Sequence, residues 1–168
     1  MSRAVRFILD AHIPAGALSP TSEEQLLARL TDMLIRNEGA DPSNPQVRSI
    51  AWLFVHRPEA VYVAGEPARA PHYRFVASVP EGQYEPERRQ AMVHDITEAV
   101  LDAEQGAHDR DPRRVWVFTP EIPDGTWGAL GTIVTLADIA TFATGDAERG
   151  RRYAEERLAG RGAAVVGA

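Results

Sequence analysis

The chain has 168 residues, 44% of them hydrophobic and 25% charged, with a net charge of −6 and no cysteine. This composition suits one folded domain or two small fused halves; it excludes disulfides, thiolate metal sites and a cysteine nucleophile, and an acidic balance without a basic stripe argues against nucleic acid as a partner. No apolar run reaches the length of a signal-peptide core or a membrane span, so the expectation is a cytoplasmic protein without membrane contact.

Val5 to Leu9 is a short apolar run that predicts a first strand. Ser19 and Pro20 then have the types of a helix cap and first helical residue. Leu26, Leu27, Leu30, Met33 and Leu34 follow at helical spacing, and Asn37, Gly39, Asp41 and Pro42 end that helix. Val47 to Val55 predicts a second strand, and Val61 to Ala64 a short third one. Pro71 sits where a proline is tolerated, at the start of the next strand, Tyr73 to Val79. Pro86 opens a second helix whose buried stripe is Met92, Val93, Ile96, Val100 and Leu101. Val115 to about Glu121 predicts a further strand. Gly125, Gly128 and Gly131 fit a turn and hairpin, since no Lys-Ser/Thr follows to make a phosphate loop. Ile133 to Leu136 predicts a short strand, and Asp146 to Leu158 a charged helix.

Half of this order repeats the other half. Arg6-Phe7-Ile8 returns as Arg74-Phe75-Val76, and Ser19-Pro20 as Glu85-Pro86. Leu30 to Leu34 returns as Ile96 to Val100, and AWLFVHRPE as WVFTPEIPD with Pro58 over Pro123. Four matches in the same order indicate an internal duplication. Each copy reads strand, helix, strand, which makes a right-handed unit with parallel strands. One unit has too small a core to stand alone. The expected class is α+β: two fused βαβ units forming a four-stranded mixed sheet with both helices on one face. Residues 1–70 would be the first unit, 71–145 the second, and 146–168 a helical tail. The bare sheet face would remain apolar, which predicts self-association, with the two short strands reaching neighbouring subunits.

VWVFTPEIP, RPEAVYVAG, SVPEGQYEPERRQAMVHDIT and the repeat itself resemble the tautomerase superfamily, in particular its fused double-length members of the cis-chloroacrylate dehalogenase and oxalocrotonate tautomerase type. The resemblance covers roughly residues 2 to 140. It implies a homotrimer with an apolar pocket at a sheet edge, acting on small unsaturated or 2-oxo acids without a cofactor. It also implies a mechanism in which an N-terminal proline amine of lowered pKa moves protons, arginines hold the substrate carboxylate and an acidic residue assists.

Several positions depart from that pattern. The second residue is Ser2, whose primary amine, with a reference pKa of about 8, would act only if Met1 is removed. Pro71 is internal, so its nitrogen is a non-basic amide. The family's carboxylate-binding arginines fall on Pro80 and Gln83, and its helix histidine on Leu34. Glu121 fits the acidic position and shares a strand face with Val115, Val117 and Thr119, so it reads either as a proton relay or as a solvated strand end.

The repeat alignment sets His56 opposite Glu121, as a titratable group or a structural histidine. The candidate catalytic residues are therefore Ser2, Glu121 and His56. Arg6, Arg57 and Arg74 are candidates for holding a carboxylate, and Trp127 for walling the pocket. The histidines show no metal-ligand spacing. The reading is a tautomerase- or isomerase-like protein acting on a small 2-oxo or unsaturated carboxylic acid. The alternatives are a non-catalytic binding or assembly protein on the same fold, and a hydratase or dehalogenase-like lyase using Glu121 or His56.

Overall fold

Each half of the chain contributes a strand, an 18-residue helix and a second strand parallel to the first. The structure, a computed structural model, describes residues 7–159. Its elements are β1 (Phe7–His12), α1 (Pro20–Asn37), α2 (Pro45–Ser49), β2 (Ala51–His56), β3 (Tyr62–Val63) and β4 (Glu66–Pro67), then β5 (Tyr73–Pro80), α3 (Pro86–Ala103), a 3₁₀ turn (Pro112–Arg114), β6 (Val115–Phe118) and β7 (Glu121–Ile122). After them come β8 (Trp127–Ala129), β9 (Thr132–Val134), α4 (Leu136–Thr144) and α5 (Ala147–Leu158). Among the described residues no helix is long and apolar enough to cross a membrane.

The main sheet runs β2-β1-β5-β6, and β7 continues the last position by pairing with the end of β5. β1 and β5 are antiparallel, so the two units meet head to tail. Strand alternation decides which side is covered. Leu9 and Ala11 of β1 and Tyr73, Phe75, Ala77 and Val79 of β5 are buried in one core with Leu26, Leu30 and Leu34 of α1 and Met92, Ile96 and Val100 of α3. α1 and α3 pack against each other on that face. The other face carries Trp52 and Phe54 of β2 and Trp116 and Phe118 of β6, which are exposed by 58%, 46%, 65% and 44%. Four large aromatic side chains on a bare sheet form the kind of patch that soluble monomers rarely leave open.

The caps explain the helix limits. Ser19 accepts from Ser22 N at 3.1 Å with Pro20 behind it, whereas Pro86 opens α3 with no side-chain cap from Glu85. Both helices end on a buried glutamate, Glu38 and Glu104.

The duplication is real but its strand registers differ from the sequence alignment. The core pattern matches Leu9 with Phe75 and Ala11 with Ala77, two residues away from the expected match of Phe7 with Phe75. β1 pairs Leu9 with Leu53, and β5 pairs Phe75 with Val117. Trp52 therefore corresponds to Trp116, and His56 to Pro120 rather than to Glu121. A one-residue shift in a strand reverses the face a side chain occupies, so His56 and Glu121 lie on opposite faces.

Three local expectations also change. The start of the strand expected over Val47–Val55 is the helix α2, which Asn44 caps by accepting from Gln46 N at 2.9 Å, with Pro45 at the first turn. The strand expected over Ile133–Leu136 stops at Val134, because Thr135 and Asp138 form a reciprocal capping box that starts α4. The short strands expected singly each have a partner in their own chain, in the hairpins β3–β4 and β8–β9.

The chain after β7 makes a small second core, in which Trp127, Ala129 and Val134 pack with Ile139 and Ala140 of α4 and Tyr153 of α5. α5 is fastened to the turn between β5 and α3. Tyr153 donates to Gln83 Oε1 at 2.8 Å and Arg157 to Glu85 at 2.6 Å. The backbone of Arg157 lies so close to Gly82 that an added Cβ would sit 2.9 Å from its carbonyl oxygen.

Candidate functional site

A cavity of about 710 Å³ opens where β5 and β6 begin, beside the last residue of β1 and the β3–β4 hairpin. That volume lies in the range of small-molecule sites. Its apolar wall is Val61, Tyr62, Val63 and Trp116. Its polar groups are His12, His72, Arg74 and the paired Asp111 and Arg113.

The cations around this cavity are not equivalent. Arg113 is held by Asp111 through its Nε, at 2.9 Å, and Nη2. Arg114 is buried and held by Glu104 through two nitrogens, one at 2.6 Å, while Tyr73 donates to the same carboxylate at 2.9 Å. Burial pushes the Glu104 carboxyl up, but the hydrogen bonds from Arg114 and Tyr73 outweigh it and hold the group below its ordinary value. Both arginines are thus neutralised by their own acids. Arg74 is different. Its Nη1 lies 3.0 Å from His12 Nε2 and its guanidinium rests over the Phe118 ring at 5.3 Å. Among the described residues Arg74 has no carboxylate partner. Burial, then the neighbouring His56 and Arg74, hold the His12 pKa below 6.5 against the pull of Asp10. His12 is therefore neutral near pH 7 and accepts from Arg74 without cancelling its charge.

His72 is a group that can carry a proton. Its Nδ1 lies 2.9 Å from the carbonyl oxygen of Ala70, an acceptor, which puts the proton on Nδ1 and leaves Nε2 as the basic nitrogen. It follows Pro71 directly, at the start of the second unit. Next to the cavity, on the bare sheet face, His12 stacks on His56 with ring centroids 4.5 Å apart, and His56 Nε2 is 2.6 Å from Asp10 Oδ1.

Of the residues expected from sequence, Arg74 and His56 come together at this end of the sheet, joined through His12. Arg57 is turned away, with Nη1 donating to Glu23 at 2.9 Å and to the Ile13 carbonyl at 3.2 Å. Glu121 lies at the opposite end of the sheet, on the helix side, where Oε1 accepts from Tyr84 N at 3.0 Å and Oε2 is 3.5 Å from Arg89. That is also the end at which the chain enters β1. Trp127 belongs to the second core, away from the cavity. Ser2 and Arg6 lie outside the described residues. Asp10, His12 and His72 were not singled out as site residues from sequence. The alternation Asp10-Ala11-His12 puts two polar groups on one strand face, and that is the signal that could have found the first two. Among the described residues no group of three or more His, Asp or Glu could hold a metal ion.

No protein-family model matches this sequence, and no curated protein matches it. Solved structures do match. The Q0 fused 4-OT, a wild-type symmetric trimer, is 22% identical with a TM-score of 0.61, covering 80% of this chain and 98% of that one. Pt0534 inactivated by 2-oxo-3-pentynoate is 21% identical with a TM-score of 0.61, covering 75% of this chain and 94% of that one. N1, a member of the cis-3-chloroacrylic acid dehalogenase family, is 18% identical with a TM-score of 0.59, covering 76% of this chain and 82% of that one. At these identities the likeness establishes the fold alone: the chain shares the fold of these fused 4-OT and cis-3-chloroacrylic acid dehalogenase family structures.

Proposed function

We propose that this protein binds a small 2-oxo or unsaturated carboxylic acid in the cavity at the start of β5 and β6 and moves a proton on it, as a tautomerase- or isomerase-like enzyme. The observation that carries the reading is Arg74, a cation held by a neutral imidazole inside a largely apolar cavity. A guanidinium so placed matches a carboxylate in a bidentate fork. His72 then takes a proton from one position of the bound acid at Nε2 and returns it at another, so the composition of the substrate does not change. With one uncompensated cation and walls of Tyr62, Val63 and Trp116, the cavity favours a monoanion with an apolar or aromatic body over a dicarboxylate.

The same fold supports a trimer of this chain, in which copies cover Trp52, Phe54, Trp116 and Phe118 on the bare face. A neighbouring fold is a trimer, and that patch needs a partner.

A second reading, a binding or assembly protein without catalysis, is favoured by Ser2 in the place of the family's N-terminal proline and by Glu121 being tied to Tyr84 and Arg89. Ketonisation of phenylenolpyruvate and of 2-hydroxymuconate, followed by absorbance on the purified full chain, separates the two. The enzyme reading expects turnover of phenylenolpyruvate above 2-hydroxymuconate, lost in His72→Ala. Turnover by neither the wild type nor a Ser2→Pro variant, with phenylenolpyruvate still bound, would establish the binding protein.

A further inference from the structure

The bare sheet face holds more than aromatic side chains. At one end of it Asp10 and His12 of β1, His56 of β2 and Arg74 of β5 form one contiguous group on the same side as Trp52, Phe54, Trp116 and Phe118. The two imidazoles lie nearly parallel, at an interplanar angle of 16°. The group adjoins the aromatic side chains directly, Asp10 pairing with Phe54 and Arg74 with Trp116 across neighbouring strands. We infer that this face is an acid-labile self-association surface, which copies of the chain bury when His12 and His56 are neutral and release when both are protonated. The inference rests on the trimer reading given above.

The charge count decides the sign. With both histidines neutral, the face carries Arg74 and Asp10, one charge of each sign. With both protonated it carries three cations, His12, His56 and Arg74, against the single carboxylate of Asp10. A covered face excludes water, and unbalanced charge is costly there. Two cationic rings stacked at 4.5 Å repel each other as well.

The surroundings offer no relief. β6 contributes Phe118 beneath Arg74 and no charge. Across the adjoining cavity stand His72 and Arg113, the latter already neutralised by Asp111. Arg57, following β2, is held by Glu23. The direction for His12 agrees: the structure favours its neutral form, so acid acts against the structure below about pH 6.5.

Light scattering after size exclusion, on the full chain at about pH 8 and about pH 5.5, tests this. The expected result is an assembly at the higher pH and a monomer at the lower, with an unchanged far-ultraviolet circular dichroism spectrum at both. The double variant His12→Gln/His56→Gln should remain assembled at both pH values. Asp10→Asn, which removes the only balancing carboxylate, should dissociate at a higher pH than the wild type, and it keeps the test informative if the double variant does not fold. A wild type equally assembled at both pH values overturns the inference and leaves the trimer reading standing. A wild type that is monomeric at about pH 8 overturns the trimer reading, and the inference with it.

Discussion

Trp52 and Trp116 occupy matching positions in the two halves of the molecule, and each meets the phenylalanine two residues on edge to face. The ring centroids of Trp52 and Phe54 are 6.3 Å apart at 72°, and those of Trp116 and Phe118 are 6.4 Å apart at 74°. The pairs sit on the two outer strands of the main sheet, on the side that none of the described helices covers. Replacing either tryptophan by lysine should therefore leave the fold in place and abolish self-association. Surface changes of this kind alter stability by about 0.5 kcal/mol or less. A monomer by light scattering with a wild-type melting curve at low protein concentration is the expected result. An unfolded Trp116→Lys chain would show instead that the face belongs to the core.

On the proposed function, substrate handling at the cavity divides between two residues. Arg74→Ala removes the carboxylate fork and should raise KM by about 100-fold, as expected for the loss of a charge-assisted pair. Arg74→Lys should recover little of it, because an ammonium cannot reproduce the planar fork. His72→Ala should instead lower kcat by a factor of about 10² to 10⁴ with little change in KM. Steady-state kinetics with phenylenolpyruvate reads both effects, and equal loss in kcat and KM from both variants would remove the assigned division of labour.

Arg114 and Glu104 are 6% and 5% exposed, and together with Tyr73 they close the joint between α3 and the strands β5 and β6. Glu104→Gln leaves the guanidinium buried without a counter-charge, which costs about 3–5 kcal/mol. Urea denaturation should show that loss, and the double change Glu104→Leu/Arg114→Met should restore much of it. The pH dependence follows from the depressed Glu104 pKa. Below the ordinary value of 4.5 the unfolded chain takes up the proton before the folded one does, so this contribution is complete above that value and falls away as pH drops through the folded pKa.

Leu130 and Gly131 form the tip of the β8–β9 hairpin with φ of 56° and 74°. A glycine suits that geometry and a leucine does not; Leu130 is moreover 91% exposed. Leu130→Asn should raise stability by about 1 kcal/mol, measured as an increase in melting temperature. A lower melting temperature would mean that the leucine side chain is held by a partner.

Gly82 stands at φ 84° under the last turn of α5. Gly82→Ala forces a methyl toward the Arg157 carbonyl and a left-handed conformation on alanine, a strain of about 1–3 kcal/mol. The weakest response is to lift α5. Hydrogen exchange across 147–158 should therefore accelerate while exchange in β1 and β5 stays slow.

Much of this molecule could be read from the chain alone. The helical periodicity of Leu26, Leu30 and Leu34, echoed by Met92, Ile96 and Val100, gives two equal helices, and Pro20 and Pro86 mark where they begin. The apolar strands on either side, together with the repeat, define the fused units, the sheet and its uncovered face. These features are legible because local periodicity and burial reinforce each other over many residues.

Register was not legible. Matching Phe7 to Phe75, or Ala51 to Trp116, satisfies hydrophobicity as well as the true register does, and only the pairing of Leu9 with Leu53 and of Phe75 with Val117 decides it. α2 and α4 were missed although Asn44-Pro45 and the Thr135–Asp138 box announce them, because each helix is short and its apolar residues also suit a strand.

The sequence by itself determined a duplicated βαβ chain with one apolar sheet face left over, since composition and period allow few other ways to bury those side chains. Only the tertiary structure decided which polar groups meet. The Asp10–His12 pair, His56 and Arg74 are far apart along the chain and become neighbours because β1 lies between β2 and the antiparallel β5. Glu121, promising as a residue type, is carried by that same arrangement to the other end of the sheet, where Tyr84 and Arg89 hold it. A site depends on distances of a few ångströms between strands, and those distances are set by pairing, which one strand read in isolation does not contain.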